Sequence, residues 1–183
     1  MKKRTQQLVV LGMSLLLFNF TVTAQSSSEI LNTIENSENY DTFELAHMDK
    51  DISTFINLVA LSGLESSLLM LESHTAFIPT NDAFKQMNVD EYLHLTNPKN
   101  KADLTRFVKY HFLPEKVSID EFKDTQIIDA KGWDDISITV DEDYQTVYVG
   151  GARIIKENIE TENGIIHIVD RVITPFGGLD LSK

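Results

Sequence analysis

Apolar residues recur at the spacing of an α-helix in the first half of the chain. The clearest stripe consists of Ile52, Phe55, Ile56, Val59 and Ala60. Asp49 or Asp51 stands before the stripe as a cap and Gly63 stands just after it, so the pattern predicts an amphipathic helix. Shorter stripes predict further helices at Leu64 to Leu71, Ala83 to Met87, Tyr92 to Leu95, and Leu104 to Phe112. Asn100 and Asp103 resemble a capping box before the last of these, and Pro114 follows it as a breaker.

The second half of the chain alternates instead of following a helical period. Apolar and polar residues alternate from Ile136 to Val140, Asp141-Glu142-Asp143 turns the chain, and Tyr144 to Val149 runs back. Gly150-Gly151 and Asn163-Gly164 separate two further strands, the last of which spans Ile165 to Ile173. Helices in the first half and a β-meander in the second predict an α+β domain.

Residues 74 to 84, HTAFIPTNDAF, combine a strand pattern with a helix start in the first half of the chain. Thr75 to Ile78 are β-branched, small and aromatic residues that suit a strand, and Pro79 has no N–H for a ladder hydrogen bond. Thr80 or Asn81 can accept hydrogen bonds from the free N–H groups of a new helix. The segment therefore predicts a strand that ends at a helix cap, with the strand joining the later sheet.

The N-terminal segment has the three parts of a secretory signal. Lys2, Lys3 and Arg4 form a basic start, Leu8 to Phe20 is apolar, and Val22-Thr23-Ala24 offers a cleavage site. A membrane anchor would need about 20 apolar residues, and this run is shorter. We expect residues 1–24 to be a signal peptide, residues 25–49 a polar leader or short helix, and the product to be extracellular or periplasmic, with no membrane span after cleavage.

Composition and net charge disfavour some classes of binding partner. The chain has 183 residues with 42% hydrophobic residues, which suits one well-buried domain. Its formal net charge of −12, which becomes more negative once the basic signal is removed, disfavours nucleic acid and anionic lipid as partners. Cysteine is absent, so stability must come from the core and not from disulfides.

The sequence contains no recognisable catalytic or cofactor motif, so we expect no enzymatic activity and no cofactor. Asp141-Glu142-Asp143 could coordinate calcium, but it lacks the glycine and closing glutamate of an EF-hand loop, and a solvated turn is the better interpretation. The same holds for Asp134-Asp135. The five histidines have no paired spacing typical of a zinc site, so no metal is expected.

Three segments in order resemble the fasciclin-like domain family. HTAFIPTNDAF is similar to its first signature, FVKYHFLP at 107 to 114 to its central Tyr-His segment, and NGIIHIVDRVITP at 163 to 175 to its second signature. The resemblance covers about residues 50–176 and leaves 177–183 as a tail. It implies a wedge of two packed sheets with helices across it, in secreted or surface proteins associated with adhesion and matrix contact, without a shared catalytic activity. A bacterial single-domain member fits.

The resemblance also nominates site residues. In some family members the matching Tyr-His segment is implicated in receptor contact, which points to Tyr110 and His111 as partner-binding residues. Helical spacing puts His111 on the buried stripe and Tyr110 about 100° away, so we expect a hydrogen-bonded core histidine beside a presented tyrosine ring.

Other residues of the signatures are expected to have structural roles. Thr80, Asn81 or Asp82 is expected to satisfy the His111 ring, since the family's motifs pack together. His167 and Asp170 in the second signature are expected to be structural, with His167 hydrogen-bonded inside a strand.

Two hypotheses for function remain open. The first is a secreted adhesion or interaction module that binds a protein or polysaccharide of a cell surface or matrix. The alternative is a carrier that holds an apolar small molecule in a cleft between the helices and the sheet.

Overall fold

The computed structural model describes residues 31, 34–129, 135–143 and 145–174. The predicted signal peptide at 1–24 and the tail at 177–183 lie outside the described residues. Within the described ranges, no helix is both long and apolar enough to cross a membrane.

The α-helices of the described chain all lie in its first part, as the periodicity predicts, but the last of them ends at Lys109 and not at Phe112, which begins a strand. They are α1 (Thr42–Met48), α2 (Ser53–Ser62), α3 (Glu65–Leu69), α4 (Asn81–Lys85), α5 (Val89–Thr96) and α6 (Lys101–Lys109). Single 3-10 turns occur at Ser37–Asn39, Lys50–Ile52, Pro98–Asn100 and Ile119–Glu121.

Helix α2 is bounded by the residues that the sequence nominates. The Asp49 carboxylate accepts a hydrogen bond from the N–H of Asp51 at 2.8 Å, in the 3-10 turn that leads into the helix. At the other end, Gly63 has a φ of 75°, and its N–H donates to the carbonyl of Ala60. Glycine reaches this left-handed conformation without a steric penalty, which is why the helix stops there.

Seven strands of the described ranges form the sheet. They are β1 (His74–Pro79), β2 (Phe112–Leu113), β3 (Gln126–Ile128), β4 (Ile136–Asp141), β5 (Thr146–Val149), β6 (Ala152–Thr161) and β7 (Gly164–Val169). Their spatial order is β2-β1-β7-β6-β5-β4-β3, with β1 parallel to β7 and every other pair antiparallel. The predicted early strand joins the later sheet through this β1–β7 pairing.

The predicted α+β class is confirmed, and the predicted packed sheets are the two halves of one curled sheet. Strand β6 links its two halves, because it pairs with β5 at Ala152 and Arg153 and with β7 from Ile154 to Thr161. Shifts in register on both sides of Lys156 interrupt the second pairing. Such irregularities increase twist, which is how a single sheet can fold back on itself.

Each face of the central strands packs into a separate core. On one side, Ala76 of β1 and Ile166 of β7 meet the helices, and the aromatic residues of this core are Phe43, Phe55, Phe84, Phe107 and Phe112. On the other side, Phe77 and Val169 meet Ile138 and Val149 of the far half of the sheet. The alternation of side chains along β1 and β7 therefore places the central strands between two apolar layers.

Helix α1 is part of the packed unit although it precedes residue 50. Asp41 and Glu44 form a capping box at its start, and Phe43 is 2% exposed in the helical core. The buried Thr42 hydroxyl lies 2.9 Å from the Nε2 of His74, and the Thr42 N–H donates to the side-chain oxygen of Asn163. This polar network fastens α1 to the start of β1 and to the β6–β7 turn.

Two local predictions are wrong at their ends. The last strand stops at Val169 and not at Ile173, because the Asp170 carboxylate already accepts the N–H of Arg153 at 2.9 Å. Asn100 makes no capping hydrogen bond to α6; its amide donates to the Nδ1 of His94, while Asp103 accepts from His94 Nε2 at 2.8 Å. Both predicted capping residues are thus used to fix α5 against α6.

Candidate functional site

Two neighbouring residues at the joint between β1 and α4 bind different parts of the fold. Thr80 is the cap of α4, since its hydroxyl accepts from the N–H of Ala83 at 3.1 Å. Asn81 reaches instead to the start of α2, where it accepts from the N–H of Thr54 at 2.8 Å and donates to the carbonyl of Lys50 at 2.7 Å. The joint therefore fastens the first signature to α2.

His111 lies between the end of α6 and β2 and is fully buried. Its Nε2 accepts from the N–H of Ile173 at 3.2 Å, so its Nδ1 carries the proton and donates to the carbonyl of Phe107 at 2.9 Å. The rings of Phe55 and Phe107 lie 4.8 and 4.7 Å from the imidazole. The expectation that Thr80, Asn81 or Asp82 satisfies this ring is wrong, because main-chain groups do so.

The expected exposure of the Tyr110 ring is also wrong, since Tyr110 is 1% exposed. Helix α6 ends at Lys109, so the helical angle between Tyr110 and His111 does not apply beyond it. The Tyr110 ring enters the second core, opposite the face that His111 enters, and lies beside Ile173 and the Gly150 turn. A direct contact between these two side chains and a partner stays a prediction, and in this structure the side chains are enclosed.

His167 and Asp170 hold the second signature in place. The Nδ1 of His167 accepts from the N–H of Asn158 at 3.3 Å, so its Nε2 donates to the carbonyl of Val117 at 3.1 Å. The Asp170 carboxylate lies 3.3 Å from the Nε of Arg153 and accepts that residue's N–H. Asp82 lies on the surface and pairs with Lys85 at 2.6 Å.

The buried histidines are kept neutral by their surroundings. Burial lowers the pKa of His111 to about 4, and the hydrogen bond to Phe107 offsets only part of that effect. Burial also lowers the pKa of His74 to about 4, against the opposing charge of Asp41, and it lowers the pKa of His167. Because the ring nitrogens of His111 and His167 bind main-chain groups, their role is to join elements of the fold.

The acidic loop that could have held calcium forms the end of a hairpin. Asp141 is the last residue of β4, and Glu142 and Asp143 are exposed in the turn that follows. Asp135 is exposed, and Asp134 lies outside the described residues. Over the part of the chain that the structure describes, no group of three or more metal-ligating side chains converges.

A cleft beside β6 is a feature that the sequence reasoning missed. It encloses about 320 Å³, with Thr146 and Val147 of β5 on one side and Arg153, Ile155 and Glu157 of β6 on the other. Sequence patterns identify each strand separately, whereas the cleft arises where two adjacent strands stop pairing. The sign of the cleft in the sequence is a difference in length, because strand β6 has 10 residues and strand β5, which pairs with it, has 4.

The sequence is similar to those of several known proteins. The sequence matches the family model of the Fasciclin domain over residues 50–175. Protein sll1483 of Synechocystis is 29% identical over 72% of this chain and 72% of its own length. Human periostin is 31% identical over 80% of this chain, which spans only 17% of periostin. A Plasmodium falciparum protein named Heme ligase is 26% identical over 70% of this chain and 73% of its own length.

A solved structure has the same fold. The structure described as a novel fold in a FAS1 domain pair from the insect cell adhesion molecule fasciclin I superposes with a TM-score of 0.66 at 15% identity. The superposition covers 76% of this chain and 52% of that one. Since the family match spans more than half of the sequence and the fold agrees, the chain belongs to the fasciclin domain family.

Proposed function

We propose that this protein is a secreted or surface-located binding module that attaches to a protein or polysaccharide of a cell surface or matrix and catalyses no reaction. The observation that supports this most is the fasciclin domain itself, which fills residues 50–175 and which in its structural relative belongs to a cell adhesion molecule. Fasciclin domains are generally adhesion or interaction modules.

The buried polar groups are consistent with a binding scaffold. His111 and His167 each fix two separate parts of the backbone and have no exposed surface. Their pKa values are lowered by burial, so both are neutral near pH 7 and present no charged acid or base to a substrate. A rigid core of this kind leaves recognition to the surface.

Retention on isolated cell envelopes tests the proposal and separates the two partner classes. We expect the labelled protein to sediment with envelopes of its source cells at low micromolar concentration, more than an unrelated protein of equal acidic charge. Loss of retention after protease treatment of the envelopes identifies a protein partner, and loss after periodate oxidation identifies a polysaccharide. Retention no greater than that of the control protein would overturn the proposal.

Export is the second part of the proposal. The basic start, the apolar run and Val22-Thr23-Ala24 support cleavage after Ala24 and release of a chain that begins at Gln25. Mass spectrometry of the protein recovered outside the cytoplasm should give the mass of residues 25–183. Recovery only as an intact chain in a membrane fraction would contradict release.

The carrier hypothesis is worth testing with haem, because one relative of this chain is named Heme ligase. His111 and His167 cannot reach an iron without breaking main-chain hydrogen bonds. Titration of the protein with hemin, followed by absorbance near the Soret band, tests the hypothesis. A saturable spectral change that disappears in a variant of an exposed histidine, His47→Ala, would favour the carrier over the adhesion module.

A further inference from the structure

Strand β6 has a stretch of edge that no other strand of the described residues covers. The strand is 10 residues long, but its pairing with β5 ends at Tyr148 and Arg153. From Ile155 onward, no strand among the described residues pairs with β6 on that side, whereas β7 follows its other side to Thr161. An uncovered edge offers backbone groups to which another extended chain can pair.

The cleft of about 320 Å³ lies along this uncovered edge. Its walls are the separating ends of β5 and β6, and Ile119 lines it from the 3-10 turn. Asn158 bounds the edge, because its φ of 53° turns the backbone and its side chain accepts the N–H of Ile119 at 2.8 Å. The edge is therefore open over Ile155, Lys156 and Glu157, a length that a short extended segment can pair with.

One end of the open edge is apolar, and the Nζ of Lys156 in its middle is buried. Ile155 is 47% exposed, and Ile154 and Val147 line the cleft beside it. A side chain of moderate size on an added strand could be shielded from water by these residues. In strand addition, main-chain hydrogen bonds supply affinity and such side-chain contacts supply specificity.

The rim of the cleft is acidic. Glu157 is exposed on the edge itself, and Asp120 and Glu121 follow Ile119 as exposed residues. Glu142 and Asp143 are exposed in the hairpin turn that leads to the opposite wall. Arg153 is the basic residue of the lining, and its guanidinium lies 3.3 Å from the Asp170 carboxylate, which offsets its charge. The rim therefore favours a partner with positive side chains.

We propose that an extended basic peptide segment of a partner protein docks in this cleft as an added strand alongside β6. It places an apolar side chain against Ile155 and lysine or arginine side chains against the acidic rim. The proposal rests on the proposed function and deepens it, because it names a protein partner and the surface that binds it.

Three short peptides test the proposal by fluorescence anisotropy with the purified protein. The first alternates lysine and valine, the second replaces lysine with glutamate, and the third is the lysine peptide with an N-methyl group on every backbone nitrogen, so that neither edge of the extended peptide can donate. We expect the first to bind and the second not to bind. The N-methylated peptide should bind about tenfold or more weakly, since it lacks the hydrogen-bond donors of a strand. Equal binding of the methylated and unmethylated lysine peptides would overturn strand addition.

Matched protein variants locate the site. Ile155→Lys and Glu157→Lys should each weaken binding of the lysine peptide by about fivefold or more, because they add positive charge at the edge. Leu93→Lys and Asp90→Lys add the same charge at exposed positions of α5 and should leave binding within about twofold of the unsubstituted protein. Equal losses at the two pairs of positions would place the peptide elsewhere and overturn the proposal.

The two experiments distinguish an error in the docking proposal from an error in the proposed function. If the lysine peptide does not bind but the protein is still retained on envelopes, this site is wrong and the binding module stands. If neither the peptide nor the envelope retains the protein, both proposals are wrong. Envelope retention that Ile155→Lys lowers, and Leu93→Lys does not, supports the cleft as the attachment surface.

Discussion

The Nε2 of His111 accepts a hydrogen bond from the backbone N–H of Ile173 at 3.2 Å, joining residues that are 62 positions apart in the chain. The other ring nitrogen donates to the Phe107 carbonyl, one turn back. The central Tyr-His segment and the end of the second signature are therefore joined through one buried imidazole. This contact gives the His111 ring a structural function that needs no exposed surface.

Removing the imidazole should destabilise the fold strongly. His111→Ala leaves a cavity beside Phe55 and Phe107 and two buried main-chain groups without a partner, and we expect a loss of about 3–5 kcal/mol in free energy of unfolding. Urea melts of the variant measure the loss. His47→Ala, at an exposed histidine, is the control and should keep the midpoint of the unsubstituted protein.

Tyr110→Ala should be comparably destabilising, because the ring is 1% exposed in the second core; about 3–5 kcal/mol is the usual cost of such a truncation. Thermal stability and surface attachment should be measured together for this variant. If it keeps nearly full stability and loses attachment, the ring is presented to a partner in solution and the enclosed position in the structure is not the functional one.

The Asn81 side chain should contribute more to stability than its neighbour Asp82. Asn81→Ala removes an acceptor for the Thr54 N–H and a donor to the Lys50 carbonyl, and we expect a loss of about 1–3 kcal/mol. Asp82→Ala breaks only a surface pair with Lys85 and serves as the matched control. Equal urea midpoints for the two variants would contradict the role of Asn81 as the link between α2 and α4.

Acid should destabilise the protein through its buried histidines. The pKa of His111 falls from 6.5 to about 4 on burial, so the unfolded chain binds a proton between these values and the folded chain does not. Its stabilising contribution is complete above pH 6.5 and is lost as the pH falls toward 4, with a loss of about 3 kcal/mol. His74 acts in the same direction.

Urea melts at pH 7.5, 6.0 and 5.0 test this linkage when the unsubstituted protein is compared with His111→Asn. The variant lacks one titrating group, so its stability should depend less steeply on pH across this range. The comparison also cancels opposing groups that both proteins share, such as Asp49, whose pKa is raised by burial. Identical pH dependence in the two proteins would show that His111 is not neutral and buried.

Alanine substitutions at two adjacent glycines measure the cost of a steric clash separately from the cost of a left-handed backbone conformation. Gly150 has a φ of 55°, and an added Cβ would lie 2.3 Å from Cγ2 of Ile173. Gly151 has a φ of 81°, and no atom of the described residues lies within 4 Å of the position of an added Cβ. Gly151→Ala should cost about 1–2 kcal/mol for the left-handed conformation alone. Gly150→Ala should cost about 1–3 kcal/mol more for the clash with Ile173. Equal thermal midpoints would mean that the turn does not pack on Ile173.

The helices and the hairpins could be predicted from sequence because their signals are local. The stripe from Ile52, the cap at Thr80 and the Gly150-Gly151 turn each reflect residues that are neighbours along the chain. The strand β1 was predicted to join the sheet, but no local pattern indicates that its neighbour is β7 or that the pairing is parallel.

The candidate site was less predictable, because its contacts span the chain. Nothing near Tyr110 in the sequence states that α6 ends at Lys109 and turns this ring into a second core. The partners of His111 are main-chain groups, which every residue offers and which sequence cannot distinguish. The cleft beside β6 depends on where β5 stops pairing, which the curl of the whole sheet decides.

Attachment of the folded protein to its own cells tests the central claim most directly. Labelled protein is added to intact cells over a range of concentrations, with and without an excess of unlabelled protein, and His111→Ala above its melting temperature serves as the unfolded control. A binding module predicts saturable attachment that the unlabelled protein displaces and that the unfolded control lacks. Attachment that rises linearly, resists displacement and is equal for the unfolded control would contradict the account.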